Sequence, residues 1–120
     1  MTERMIVGVG IDVVEIDRFA ETLESSPGMR ERLFTPLERD LHVRSLAARF
    51  AAKEALSKAL GAPPGMSWQD AEVDTNAQGQ PFLRTGGTVA SRMDDLGVDA
   101  LHLSLTHDGG IASAVVIAEA

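Results

Sequence analysis

The chain has 120 residues, 44% hydrophobic and 24% charged, with a formal net charge of −7, which suits a soluble folded domain with one modest core. The lack of cysteine excludes disulfides, thiolate metal sites and cysteine nucleophiles and fits a reducing cytoplasm, while the acidic total argues against non-specific nucleic-acid binding. No apolar run approaches the roughly 20 residues of a membrane helix.

The opening "MTERMIVGVGID" has an acid beside its arginine and leads straight into a strand, unlike a secretory signal. Met5–Val14 is apolar nearly throughout and reads as an interior strand, with Gly8 and Gly10 permitting close packing or a bulge rather than binding a dinucleotide. A short helix is expected from Asp17 to about Glu24, stopped by "SSPG". Thr35-Pro36-Leu37-Glu38 has the form of a capping box with proline at the first helical position, so a helical pattern is read from there to Leu60, broken near His42–Ser45. Gly61 supplies the stop and "GAPPG" a loop. Ala71–Thr75 and Phe82–Thr85 read as strands around a turn, and Thr88–Leu96 as a helix closed by Gly97. Leu101–Thr106 and Ile111–Glu119 read as a hairpin turning at "HDGG". No repeat, low-complexity tract or linker interrupts the chain, so one α+β domain, 1–120, is expected, with a long buried central helix packed on a mostly antiparallel sheet.

The charge is unevenly spread. Arg30, Arg32, Arg39, Arg44, Arg49, Lys53 and Lys58 crowd one stretch, whereas beyond Ala62 only Arg84 and Arg92 are basic. A basic region on an acidic chain suits a local anionic partner, although charge alone makes a solvated surface the default.

The central helix "RFAAKEALSKALG" sharpens the question. Leu46, Phe50, Leu56 and Leu60 fill one broad side and alanines the other, and a helix apolar all round is usually buried. Its charged residues, Lys53, Glu54 and Lys58, then need partners or a ligand. Glu54 and Lys58 are four apart, which allows a simple ion pair. Asp12 is the one charge between Met5 and Val14 and raises the same question. It either pairs with Arg49 or Lys53, or meets Glu54 as a second hard oxygen ligand of the kind Mg²⁺ takes. From the residues alone these readings stand even. His42, His102 and His107 do not have metal-ligand spacing, and Ser104 and Thr106 belong to no recognisable triad.

The motifs "GVGIDVVEIDRF", "FTPLE", "RFAAKEALSKALG" and "LHLSLTHDGGIASAVVIAE", in this order and spanning nearly the whole chain, resemble those of the holo-acyl-carrier-protein synthases, the small bacterial 4′-phosphopantetheinyl transferases. The resemblance implies transfer of 4′-phosphopantetheine from coenzyme A to a carrier-protein serine, with release of 3′,5′-ADP, in cytoplasmic fatty-acid biosynthesis. It implies Asp12 and Glu54 as Mg²⁺ ligands, with Mn²⁺ sharing their oxygen preference. Arg49 and Lys58 would contact phosphates, His107 would lie near the nucleotide, and Arg18 would meet the acyl carrier protein. The charged residues of the central helix are on this reading there for a metal and an anionic substrate. Glu54 or a metal-bound water would take the serine proton. Carrier contacts within 23–45 do not transfer residue by residue, because members vary in length there; Arg30 and Arg32 follow Arg18 only as nearby basic residues. Family members of this size are trimers with substrate between subunits. A chain with Ile6, Val7, Val9, Ile11, Leu103, Leu105, Val115 and Ile117 in its strands gives a physical reason to expect a homotrimer. Two other classes stay open: a non-catalytic carrier- or nucleotide-binding module, and a metal-dependent phosphohydrolase.

Overall fold

Three antiparallel strands and one long helix frame the chain, whose residues 3–120 are described by the computed structural model. Met1 and Thr2, the first residues of the segment read as unlike a secretory signal, lie outside the described residues. The elements run β1 (Ile6–Glu15), α1 (Ile16–Ser25), α2 (Met29–Leu33), α3 (Val43–Ala59), β2 (Ala71–Thr75), β3 (Pro81–Thr85), α4 (Gly87–Leu96), β4 (Ala100–Asp108) and β5 (Ile111–Glu119). One sheet has the order β1-β5-β4 and the other is the β2–β3 hairpin, giving the expected α+β architecture with α3 at its centre. Among the described residues no helix is long and apolar enough to cross a membrane.

The pleat of β1 sets which side chains meet the central helix. Side chains alternate between the faces of a strand, so Gly8, Gly10, Asp12 and Val14 share one face and Val9, Ile11 and Val13 the other. The glycine face meets α3. A Cβ at Gly8 would lie 1.9 Å from Ala59 O, and one at Gly10 1.8 Å from Ala55 O, distances no side chain could occupy. The sequence reading of these glycines as permitting close packing is borne out, and the register also shifts between Ile6 and Gly8. The interior-strand reading is corrected: β1 is an edge strand. Its outer face is bare in the single chain, with Val9 57%, Ile11 61% and Val13 59% exposed.

Helix α3 is buried nearly all round, as its composition predicts, with Leu46, Ala47, Ala51, Ala52 and Ala55 fully enclosed. Its start differs from the reading at Thr35. Thr35–Leu41 forms consecutive turns, with Glu38 N donating to Thr35 O at 2.9 Å and Leu41 N to Glu38 O at 3.1 Å. The helix begins at Val43 under His42, whose Nδ1 accepts from Arg44 N at 3.1 Å. Half of the expected capping box does form, since Glu38 Oε1 accepts from Thr35 N at 3.0 Å. The same carboxylate is also drawn inward by Lys53 Nζ at 2.7 Å and Val73 N at 2.9 Å. A tertiary demand on Glu38 thus competes with a helix start there.

Helix α2 has no counterpart in the sequence reading; five residues are too few to show a period. It is stapled from outside, because Arg39 donates to Phe34 O and Glu31 O, and Arg30 to Arg39 O, each at 2.9 Å. The β2–β3 pair, α4 with its cap at Gly97, and the β4–β5 hairpin match the sequence reading.

Candidate active site

Because Gly8 and Gly10 bring β1 against the α3 backbone, Asp12 is the first side chain beyond glycine on that face. It lands beside the second half of α3. Lys58 Nζ donates to Asp12 Oδ1 at 3.2 Å and to Ile11 O at 2.9 Å. Among the described residues none of the ion pairs weighed from sequence forms: Lys58 crosses to Asp12 instead of pairing with Glu54, and Asp12 pairs with neither Arg49 nor Lys53.

Glu54 sits one helical turn before Lys58 and is half-buried. Burial chiefly, and then the nearby Asp12 charge, push its carboxyl above the usual carboxylate range, while Lys58 pulls the other way. Asp12 and Glu54 therefore feel one another. Both line an open groove of about 640 Å³, together with Arg18, Phe19, Met29 and Phe50. Phe50 stacks on Phe19 at 5.1 Å and on Trp68 at 5.4 Å between ring centroids. This column ties α1 to α3 and fixes Arg18 at the groove's edge.

The donor set fits a hard divalent ion. Two carboxylates converge, and among the described residues no group of three or more His, Cys, Asp or Glu could hold a metal unaided. An ion there would complete its shell from water and substrate oxygens, the habit of Mg²⁺.

Lys53 corrects the reading that the charged residues of α3 serve a metal and substrate. It is 3% exposed and donates to Glu38 Oε1 at 2.7 Å, Leu33 O at 2.8 Å and Trp68 O at 3.1 Å. All three ammonium donors are satisfied by protein. Burial lowers its pKa, opposed by Glu38.

Arg49 and His107 are not brought to the Asp12–Glu54 groove within the chain. At 100° per residue Arg49 lies about 180° around α3 from Lys58. Burial lowers its guanidinium pKa, opposed by Glu38 and Asp74, and its Nε is buried without a hydrogen-bond partner. His107 is exposed in a separate groove with Asp17, Arg44 and Asp108. His42 caps α3 and His102 pairs with Glu119, so the three histidines serve separate places. Glu38 is the residue that sequence reasoning missed as a tertiary partner. The available signal was a buried lysine on α3 in need of a counter-charge.

The 4′-phosphopantetheinyl transferase superfamily model matches residues 8–115. A holo-[acyl-carrier-protein] synthase from Beutenbergia cavernae is 60% identical over 115 residues, covering 96% of this chain and 99% of the relative. One from Arthrobacter sp. (strain FB24) is 56% identical with the same coverage of 96% and 99%. Among solved structures, the Helicobacter pylori holo-[acyl-carrier-protein] synthase in complex with coenzyme A superposes with a TM-score of 0.80 at 32% identity, covering 92% of this chain and 98% of that one. The Mycobacterium tuberculosis acyl carrier protein synthase gives 0.73 at 40% identity, covering 95% and 97%.

Proposed function

The chain belongs to the 4′-phosphopantetheinyl transferase superfamily, and we propose that it transfers 4′-phosphopantetheine from coenzyme A to a serine of an apo acyl carrier protein, releasing 3′,5′-ADP. The observation that carries this reading is that Asp12 and Glu54 line one open groove with Arg18, while Lys58 donates to Asp12. The curated relatives matched over nearly the whole chain carry the name of that activity.

Asp12 and Glu54 would hold Mg²⁺. When bound, such an ion neutralises charge on the pyrophosphate that the serine attacks. Lys58, on a long and half-exposed stem, provides a mobile positive charge for the phosphate oxygens on which negative charge grows. Glu54 or a metal-bound water would take the serine proton. Positioning and charge neutralisation supply most of the rate in such transfers.

Arg49 and His107 enter this proposal as phosphate and nucleotide contacts across a subunit boundary. They stand apart from the groove of their own chain, and the bare face of Val9, Ile11 and Val13 offers an apolar surface for a homotrimer. The carrier docks on α1 through Arg18. On this proposal the chain acts as one catalytic domain in the cytoplasm.

The test is direct. Incubated with coenzyme A, Mg²⁺ and an apo carrier protein, the enzyme should raise the carrier's mass by one phosphopantetheine, and chelation of the metal should stop it. An unmodified carrier would reject the transferase, and light scattering showing a fully active monomer would reject the shared site.

A further inference from the structure

A cation already rests on Asp12. Lys58 has Glu54 four residues away on its own helix, the neighbour an i, i+4 lysine ordinarily pairs with, yet its ammonium crosses to Asp12 Oδ1 at 3.2 Å and to Ile11 O at 2.9 Å. Ile11 lies on the edge strand of its sheet. The side chain of Asp12 is 18% exposed and that of Lys58 51%, so the ammonium covers the carboxylate from the more open side. An oxygen of Asp12 that accepts from Lys58 cannot face a divalent ion without placing two cations against each other in a partly desolvated site. The third ammonium donor is free for an incoming anion.

We propose that Lys58 is the resident counter-ion of this site in the substrate-free protein: it competes with the divalent ion for Asp12 and releases the carboxylate when an anionic substrate takes the ammonium. The inference rests on reading Asp12 and Glu54 as the metal-holding pair. Its consequence is an entry rule. The metal alone binds weakly, and binding of metal and substrate phosphates is coupled, with the lysine changing partner between them.

Manganese(II) alone, followed by the loss of its free-ion EPR signal, is the probe for the substrate-free protein. Lys58→Gln removes the charge from a half-exposed side chain and leaves no cavity, and a melting curve confirms that it folds. It should bind Mn²⁺ at least about tenfold more tightly than wild type, equivalent to about 1.4 kcal/mol. Lys58→Arg keeps the charge and should stay near wild type. Equal affinity in wild type and Lys58→Gln, with Asp12→Asn still weakening both, would overturn the counter-ion proposal and spare the metal site. Tighter binding that persists in the Lys58→Gln, Asp12→Asn double variant would place the ion elsewhere and overturn both. A wild-type lysine that does not compete also predicts equal Mn²⁺ affinity in Lys58→Arg and Lys58→Gln, a comparison between two replaced proteins that needs no wild-type reference.

Discussion

The two lysines of α3 lie five residues apart and have opposite fates. Lys53 is enclosed, and its three donors meet Leu33 O, Glu38 Oε1 and Trp68 O. Glu38 in turn spends both oxygens, on Thr35 N, Lys53 and Val73 N. That network is closed, and it ties the 33–38 turn and the β2 strand to the helix. Lys58 is half-exposed and donates to Asp12, which lines an open groove together with Glu54. Charge on a buried helix therefore does not by itself indicate a site. Unspent hydrogen-bonding capacity beside a groove does.

Breaking the closed side should give the largest effect on stability. Removing one partner of a buried pair leaves the other charge uncompensated, at a cost of about 3–5 kcal/mol. Lys53→Met and Glu38→Ala should each lose that much in urea unfolding, while the Lys53→Met, Glu38→Leu double variant should lose less than the sum of the single changes. A single-variant loss below about 1 kcal/mol, typical of an exposed pair, would show that this side is not closed.

The open side should respond in the opposite sense. Asp12→Asn and Glu54→Gln should lower kcat by a factor on the order of 10²–10³, the range for removing one preorganised charge-stabilising group. Folding should survive both. For Glu54→Gln the sign follows from its raised carboxyl pKa: the folded state holds the proton more tightly than the unfolded chain, so ionised Glu54 costs stability above the raised pKa. That cost disappears as pH falls through it. The variant should therefore melt at or above wild type at neutral pH and lose the wild-type rise in stability on the acid side. A lower neutral melting temperature would mean that the Glu54 carboxylate stabilises the fold, as Glu38 does.

Much of this arrangement is legible in residue order. The even-position pattern Gly8, Gly10, Asp12 and the alanine-lined helix specify a close strand–helix contact with one acid at its end, and the structure shows that contact. The β4–β5 hairpin and α4 follow from period and punctuation. The differences arise where a tertiary partner overrides a local signal. Thr35–Glu38 has the pattern of a helix start, but Glu38 is held by Lys53 and Val73, which lie far from it in sequence. Likewise β1 has the composition of an interior strand, yet it lies at an edge with its outer face open. An apolar face records that something covers it without saying whether the cover is the same chain. Arg49 and His107 show the same limit: family motifs name them, while the single chain keeps them from the Asp12 groove.

The smallest expected effect concerns the outer rim of the open side. Arg18 lines the groove from α1 next to Phe19, whose stacking on Phe50 fixes the helix against α3. Among the described residues its guanidinium takes part in no ion pair, so it is free for an acidic partner. This chain is itself acidic, at a net charge of −7, so an acidic carrier would need a local basic contact rather than overall attraction. An exposed ion pair contributes about 0–1 kcal/mol, so Arg18→Ala should raise KM for the carrier by no more than about fivefold. Arg18→Glu adds repulsion and should raise it further. Because such contacts are screened over a Debye length of about 8 Å at physiological ionic strength, the salt dependence of carrier KM should flatten in Arg18→Ala and reverse in Arg18→Glu. The KM for coenzyme A should not move in either. Steady-state kinetics across a salt series reads all three quantities at once. A coenzyme A KM that rises with the carrier KM would place Arg18 on the substrate phosphates, inside the site rather than at its rim.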